Sequence, residues 1–180
     1  DPRTELVIGD ALAVLDNSEE KWDVVISDLS DPIEEGPSFK LFTKEFFEKV
    51  DRILAPNGKF VVQSGPVSEP YLSTHGKLAN TLKTVFANHV SYTTFVPTYS
   101  QPWSLILSSQ APLETRPEPE AIDQLLTDQT TGGLGLIDGI TLLGLFQTPA
   151  YIRRAIAQYQ EIFTLSEPPK FFGKGVSSDQ

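Results

Sequence analysis

The sequence has no cysteine, no methionine and only two histidines among its 180 residues. Without cysteine there is no disulfide, thiolate metal site or cysteine nucleophile, which fits a reducing compartment. No apolar run reaches about 18 residues, so no membrane span is predicted. Basic residues are also scarce, because 14 Lys and Arg face 24 Asp and Glu, for a formal net charge of −10. A nucleic-acid binder normally shows a basic face. An acidic chain attracts cations, although many proteins are acidic without binding one.

Three apolar runs read as buried strands. They are "TELVIGDA" (4–11), "KWDVVISD" (21–28) and "KFVVQSG" (59–65). Val and Ile dominate the second run, and near-continuous apolar runs of this kind are typical of parallel strands covered on both faces. Residues 11–15 predict one or two helical turns after the first strand.

Amphipathic helices are predicted after the second and third runs. The first lies within 43–59, with Thr43 as N-cap and a Pro-Asn-Gly stop, and the second within 73–89. Residues 90–99 and 102–110 then predict an antiparallel pair. This order favours a Rossmann-like α/β fold of the doubly wound type, here only its C-terminal half with a closing hairpin. The other half would precede residue 1, so we expect the chain to be a fragment.

The last third of the sequence gives weaker signals. "APLETRPEPE" (111–120) carries three prolines and predicts a linker or surface crossing. "TPAYIRRAIAQYQ" (148–160) predicts a helix with Thr148 as N-cap and Pro149 in its first turn. The glycines of "TTGGLGLIDG" follow no clear strand, so they indicate a turn rather than a nucleotide-binding loop.

Polar residues stand at the predicted strand ends, where open parallel sheets bind their ligands. Asp10 follows the first strand, Asp28 and Asp31 the second, and Gln63 ends the third, while Tyr99 lies in the hairpin. Asp10 could instead cap a helix, and Asp31, which precedes a proline, could form a turn. Asp28 directly follows a predicted buried strand, where a carboxylate needs partners. We expect these side chains to meet in one crevice.

Other kinds of site find no support in the sequence. His75 and His89 are 14 residues apart with no third ligand in view, so both are predicted at the surface or an edge. There is no GxSxG elbow and no P-loop motif.

An ordered series of motifs resembles the polyamine aminopropyltransferases, the spermidine synthase family. The series is "DPRTELVIGDA", "WDVVISDLSDPIEEGP", "LFTKEFFEKV", "LAPNGKFVVQSGP", "THGKLANTLKTVFANHVSYTTFVPTY" and "WSLILSSQ". It follows the family's order over residues 1–110, and 111–180 resembles the family's C-terminal end more loosely. The resemblance implies the C-terminal half of a methyltransferase-type catalytic domain at 1–110 and an extension packed on it at 111–180.

The resemblance also implies a reaction. An aminopropyl group moves from decarboxylated S-adenosylmethionine to putrescine or a related amine, giving spermidine or thermospermine and methylthioadenosine. Asp28 would act as the catalytic base, while Asp31, Gln63 and Tyr99 would bind the amine. A second set would surround the donor's nucleoside: Asp10, Ala11, Leu29, Pro37 and Leu41.

No metal or further cofactor is expected, because a sulfonium donor is already a good leaving group. The resemblance implies small-molecule partners, a cytoplasmic location and a homodimer or homotetramer, with no nucleic acid or membrane. The family's glycine-rich donor loop and ribose-binding acid lie upstream of residue 1, so we expect this chain alone to turn over little.

Alternatives stay open. A methyltransferase could use the same sheet, and a non-catalytic polyamine-binding domain could keep the crevice. The motifs "EEGP", "QSGP" and "THG" are closer to thermospermine-type enzymes, whereas "VPTY" is closer to spermidine synthases, so the acceptor is not determined.

Overall fold

The computed structural model describes residues 1–30, 32 and 38–170 of the chain. Its regular elements, in chain order, are α1 (Ala11–Asn17), β1 (Trp22–Ser27), α2 (Lys44–Ile53), β2 (Leu54–Pro66), α3 (Leu72–Lys83), β3 (Asn88–Val96), β4 (Gln101–Ser109), α4 (Pro119–Gln129), α5 (Gly139–Leu145) and α6 (Ala150–Gln158). Short 3₁₀ turns occur at Phe39–Phe42, Glu69–Tyr71 and Pro97–Tyr99.

The four strands form one sheet in the order β1-β2-β4-β3. β1 and β2 are parallel, while β4 is antiparallel to both β2 and β3. The chain crosses from β1 to β2 through α2 and from β2 to β3 through α3, and a tight connection joins β3 to β4. This is the predicted arrangement of parallel strands closed by an antiparallel hairpin.

An aromatic ladder joins the sheet to its helices. Phe46 and Phe47 of α2, Phe60 of β2 and Phe86 after α3 follow one another at centroid distances of 5.7, 5.7 and 5.8 Å. All four rings are buried. Full burial of such a side chain contributes roughly 1.5–3 kcal/mol. The ladder therefore fixes α2 and the end of α3 against the same face of the sheet.

The first predicted strand is wrong. Residues 4–10 form no strand, and their apolar side chains are exposed to solvent: Leu6, Val7 and Ile8. An apolar run becomes a strand only where a neighbouring strand takes its backbone hydrogen bonds. In the described part of the chain β1 pairs on one side with β2, and residues 4–10 do not pair with its other edge.

The expectation that β1 is covered on both faces is also wrong. Val25 packs against the core, but Trp22, Val24 and Ile26 on the alternate face are 47%, 54% and 67% exposed. Side chains alternate between the two faces of a strand, and the core helices lie on the face that carries Val25. The continuous apolar run in the sequence therefore predicts more burial than β1 has in the structure.

The last third of the chain packs on α3 through α6. The Asn80 side chain donates to the carbonyls of Ile156 and Tyr159 at 2.7 and 2.9 Å. Gly76 lies so close to α6 that a Cβ there would stand 2.8 Å from the Ala155 carbonyl oxygen. These contacts tie residues beyond 110 to the first part of the chain. The division at residue 110 itself stays a prediction.

Several local predictions need correction. α4 begins within the predicted linker, and α5 was not predicted. The N-cap of α6 is Pro149 rather than Thr148, whose hydroxyl donates to the Ser91 carbonyl instead. Thr43 occupies the N-cap position of α2 as predicted. Its hydroxyl makes no capping hydrogen bond to the helix and instead donates to the Lys40 carbonyl at 2.8 Å. The glycine cluster is a turn as predicted, with two residues at positive φ: Gly132 and Gly133.

Candidate functional site

A cavity of about 490 Å³ opens at the carboxyl end of β1. Asp28 and Leu29 border it just after β1, Gln63 and Trp103 reach it from β2 and β4, and Tyr99 reaches it from the β3–β4 connection. Its size lies within the roughly 300–1,000 Å³ typical of small-molecule sites. Four of the predicted site residues therefore share one cavity.

Asp28 is the only charged side chain among the described residues that line this cavity. It is exposed to solvent, so the expectation that burial forces it to find protein partners is wrong. The strand ends one residue earlier, at Ser27, and the chain leaves the sheet there. A solvated carboxylate at the edge of an otherwise uncharged cavity can receive a cationic group directly.

Gln63 is 6% exposed and ties three parts of the site together. Its amide nitrogen donates to the Leu29 carbonyl at 2.8 Å. Its amide oxygen accepts from the Gly65 backbone and from the Trp103 indole, both at 2.8 Å. Because Leu29 adjoins Asp28, Gln63 holds the segment that carries the carboxylate against β2 and β4.

A bulge shapes the floor of the cavity. β2 and β4 pair Gln63 with Leu105 and then Pro66 with Trp103, so β2 carries one residue more than β4 over this step. Gly65 takes up the difference at φ +75°, a conformation that glycine adopts at little cost. Bulges bend a strand and re-aim its side chains, often beside functional sites.

Trp103 was not singled out from the sequence, although it forms one wall of the cavity. Its ring centroid is 4.4 Å from that of Tyr99, with the planes tilted by 41°. Period-two alternation along β4 would have placed Trp103 and Leu105 on one face. The pairing partner that brings them beside Gln63 depends on the bulge, which the sequence pattern does not reveal.

The residues predicted around the donor's nucleoside are more dispersed. Asp10 is exposed, and its carboxylate accepts from the Leu12 backbone at 2.9 Å, which makes it the N-cap of α1. Ala11 is the exposed first residue of that helix, and Leu41 is buried in the core. None of these three borders the cavity as far as the described residues define it, so their roles stay predictions.

Two predicted site residues, Asp31 and Pro37, lie outside the described residues. Their roles also stay predictions.

The surface prediction for His75 is wrong. The side chain is fully buried in α3, and burial lowers its pKa to about 4. Its Nε2 lies 2.8 Å from the Ser91 hydroxyl and its Nδ1 lies 3.1 Å from the Ser104 hydroxyl. Ser104 donates its proton to the Gly65 carbonyl, so it accepts from Nδ1–H, and the lowered pKa leaves the ring neutral at pH 7. The partners are 16 and 29 residues away, beyond the reach of local pattern.

His89 is half-buried, and burial with the nearby charge of Lys83 lowers its pKa. Among residues 1–30, 32 and 38–170, no cluster of three or more His, Asp or Glu could hold a metal ion. Within the same ranges, the helices are too short or too polar to cross a membrane.

Comparison with known proteins identifies the family. The spermine/spermidine synthase domain matches residues 1–116. A polyamine aminopropyltransferase of Synechococcus sp. is 50% identical over 173 residues, which cover 94% of this chain and 55% of the relative. A polyamine aminopropyltransferase of Sulfolobus acidocaldarius is 35% identical over 168 residues, which cover 93% of this chain and 55% of the relative. A thermospermine synthase of Arabidopsis thaliana is 31% identical over 180 residues, which cover 97% of this chain and 52% of the relative.

Solved structures agree on the fold. A spermidine synthase in complex with the transition-state analogue AdoDATO gives a TM-score of 0.75 at 24% identity, over 88% of this chain and 52% of that one. The Thermotoga maritima spermidine synthase gives a TM-score of 0.71 at 22% identity, over 88% of this chain and 51% of that one. These likenesses confirm the Rossmann-like fold, and the chain spans about half the length of the relatives it matches. With its matched domain extending over residues 1–116, the chain belongs to the spermine/spermidine synthase family.

Proposed function

We propose that the protein transfers an aminopropyl group from decarboxylated S-adenosylmethionine to a linear di- or triamine. Spermidine or thermospermine and methylthioadenosine would be the products. The observation that carries the proposal is the Asp28 carboxylate, exposed at the edge of a cavity whose other described walls are apolar, aromatic or neutral. Relatives that bear the name polyamine aminopropyltransferase support it.

The proposed step is a single displacement. The lone pair of the amine nitrogen attacks the aminopropyl carbon next to the sulfonium, and a carbon–nitrogen bond forms as the carbon–sulfur bond breaks. The electrons of the broken bond neutralise the sulfur, which leaves in methylthioadenosine. The proton released from nitrogen passes to the Asp28 carboxylate and then to water. Charge and atoms balance without any further reactant.

A base is needed because the acceptor arrives protonated. A primary amine with a pKa of about 10.4 is almost entirely ammonium at pH 7. Freeing its lone pair therefore takes roughly 4–5 kcal/mol, at about 1.4 kcal/mol per pH unit. A carboxylate at hydrogen-bond distance offsets part of this as attack proceeds. Since a carboxylate also raises the pKa of a bound amine, we propose that Asp31 holds the distal ammonium and Asp28 the reacting one.

We propose this activity for a protein of the relatives' full length. The isolated chain is expected to turn over little, since it spans 52–55% of those relatives. A cytoplasmic location, a homodimer or homotetramer, and the absence of a metal stay predictions.

The test is an assay of the full-length protein with the decarboxylated donor and, separately, putrescine, agmatine and spermidine, with products identified by mass. Asp28→Asn is expected to lower turnover by at least about 100-fold, the scale of general acid–base catalysis. Methylthioadenosine binding, measured by calorimetry, should survive. Asp23→Asn is the matched control, because Asp23 is also exposed on β1 but does not border the cavity.

Three outcomes would contradict the proposal. Near-normal turnover by Asp28→Asn would remove Asp28 from the base role. Amine binding without nucleoside binding would indicate a polyamine-binding domain. Methylated product from S-adenosylmethionine would indicate a methyltransferase.

A further inference from the structure

The bulge in β2 is supported from behind by a buried serine. The strand pairing sets two residues, Ser64 and Gly65, against the single residue Ser104 of β4. A bulge disrupts the local ladder of backbone hydrogen bonds. Here the Ser104 hydroxyl supplies a replacement, because it donates to the Gly65 carbonyl at 2.9 Å. Ser104 is fully buried, so this bond is shielded from solvent.

The Ser104 hydroxyl has all of its hydrogen-bonding capacity in use. A hydroxyl has one proton to donate and two lone pairs that accept. Its proton goes to the Gly65 carbonyl, while the Ser64 hydroxyl lies at 2.8 Å and the His75 Nδ1 at 3.1 Å. Since the proton of Ser104 is committed, both of these neighbours act as donors. Together they hold the Ser104 hydroxyl in the orientation in which it binds the bulge.

His75 is itself fixed at both ring nitrogens. With Nδ1 donating to Ser104, Nε2 of the neutral ring is an acceptor, and the Ser91 hydroxyl of β3 lies 2.8 Å from it. His75 lies in α3 and is fully buried. His75, Ser91 and Ser104 are not among the residues that border the cavity. Their side chains therefore act on the site only through the residues that they hold.

The bulge passes this support on to the site. The Gly65 N–H donates to the Gln63 amide oxygen, and the Gln63 amide nitrogen donates to the Leu29 carbonyl, both at 2.8 Å. Leu29 directly follows Asp28 in the chain. A continuous series of hydrogen bonds therefore runs from α3 through the bulge to the segment that carries the proposed base.

We propose that His75 is a positioning residue that, through Ser104 and the bulge, holds Asp28 in place for the transfer step. The inference rests on the proposed aminopropyl transfer and adds to it a residue that touches neither substrate. Its effect falls on the geometry of the base, so it concerns kcat rather than donor affinity. A misplacement of about 1 Å can lower a rate about 100-fold, and a reacting group needs support that holds it within about 0.5 Å.

Ser104→Ala and Ser91→Ala form a matched pair for the test. Each removes the hydroxyl partner of one ring nitrogen of His75, and both serines are buried. Only the Ser104 hydroxyl reaches the bulge. In the full-length protein, with the decarboxylated donor and putrescine or spermidine, Ser104→Ala is expected to lower kcat about tenfold or more. Ser91→Ala should keep kcat within about twofold, and both variants should keep the donor KM within about twofold.

Two amide replacements of His75 supply a second comparison. An asparagine side chain places its amide where Nδ1 stands, and a glutamine side chain reaches the position of Nε2. His75→Asn therefore keeps a donor for Ser104 and loses Ser91, whereas His75→Gln keeps Ser91 and loses Ser104. We expect His75→Asn to keep kcat within about threefold and His75→Gln to lose about tenfold. Each variant loses one buried hydrogen bond, so urea unfolding should show similar losses of stability.

The two comparisons separate positioning from stability. A role in stability alone would change kcat equally in Ser104→Ala and Ser91→Ala, or in neither, and either result overturns the inference. Should Ser104→Ala fail to fold, the two His75 variants decide, because equal kcat values in them overturn it as well. If the wild type transfers the aminopropyl group and these differences are absent, the inference falls alone. If the wild type forms no aminopropylated product, the proposed function falls and takes the inference with it.

Discussion

Ser108 and Ser109 are neighbouring buried serines at the end of β4 with opposite surroundings. The Ser108 hydroxyl has no hydrogen-bond partner among the described residues. The Ser109 hydroxyl donates to the Gly58 carbonyl at 2.8 Å and accepts from the Ala111 backbone at 3.1 Å. A buried polar group left unpaired costs roughly 1–3 kcal/mol, whereas a made hydrogen bond contributes about 1 kcal/mol.

Ser108→Ala is therefore expected to leave the free energy of unfolding unchanged or raise it by up to about 1 kcal/mol. Ser109→Ala is expected to lower it by about 1–3 kcal/mol, because the Gly58 carbonyl, the Ala111 backbone N–H and the Lys59 ammonium, which also donates to the Ser109 hydroxyl, each lose a partner. Urea unfolding of both variants provides the measurement. Equal destabilisation by the two substitutions would show that Ser108 has a partner after all.

Gly65 offers a second prediction for a single residue. Its φ of +75° lies in the left-handed region, which costs an L-residue roughly 1–2 kcal/mol. Gly65→Ala should lower the free energy of unfolding by that amount, as measured by urea titration. Gly135→Ala is the control, because a Cβ there meets nothing within 4 Å and its φ is not positive. A loss as large in the control as at Gly65 would rule out the backbone explanation.

Single site residues could be predicted where strand ends share an edge of the sheet. That reasoning brought Asp28, Gln63 and Tyr99 to one cavity, as the structure has them. It could not supply Trp103, since the register beyond the bulge decides which residue faces Gln63. The prediction for His75 failed separately, because its two hydrogen-bond partners, Ser91 and Ser104, are 16 and 29 residues away.

At the scale of elements, the close approach of α3 and α6 depends on one glycine. A Cβ at Gly76 would lie 2.8 Å from the Ala155 carbonyl oxygen and 3.1 Å from the Tyr159 Cβ. Overpacking of this kind typically costs about 1–3 kcal/mol, against a helix-propensity gain of about 1 kcal/mol for Ala over Gly. Gly76→Ala is expected to lower the free energy of unfolding by up to about 2 kcal/mol.

Gly144→Ala is the matched control for this prediction. Gly144 also lies inside a helix, α5, but a Cβ there meets nothing within 4 Å. It should stabilise the protein by up to about 1 kcal/mol through helix propensity. Chemical denaturation of both variants gives the comparison, and a stabilising Gly76→Ala would show that α6 does not pack tightly on α3.

Helices with a long apolar stripe were predicted well, because the stripe residues of α2 and α3 lie in the core. α4 has no buried residue, so it left no apolar stripe to read, and Pro119 in its first turn looked like part of a linker. The strand predicted at 4–10 failed for a different reason. Strand formation needs a partner edge, and neither composition nor alternation specifies which edge is available.

At the scale of the whole molecule, acidification has two opposed effects on stability. The net charge is −10 at pH 7 and the isoelectric point is about 4.6. Lowering the pH towards that point reduces self-repulsion, which favours the compact state. Protonation of a buried neutral histidine acts in the opposite sense. A pH scan of the wild type alone would mix the two effects.

The effect of protonating a buried histidine can be separated from the effect of net charge at His75. Its folded pKa of about 4 lies below the ordinary value of 6.5 because burial disfavours the imidazolium. Below pH 6.5 the unfolded state therefore binds a proton that the folded state does not bind. The contribution of the neutral His75 to the free energy of unfolding is fully present above pH 6.5 and is lost as the pH falls towards 4. Over this window the loss is on the order of 3 kcal/mol, at about 1.36 kcal/mol per unit.

The prediction is that the free energies of unfolding of wild type and His75→Gln, measured by urea titration from about pH 8 to about pH 4, keep a constant difference above about pH 7. Below about pH 6.5 the wild type should lose stability relative to the variant, because a glutamine side chain cannot titrate while the carboxylates are common to both proteins. His89→Gln should show a weaker trend in the same direction, since His89 is only half-buried. Parallel curves for wild type and His75→Gln down to about pH 4 would mean that α3 opens to water around His75 before the ring is protonated.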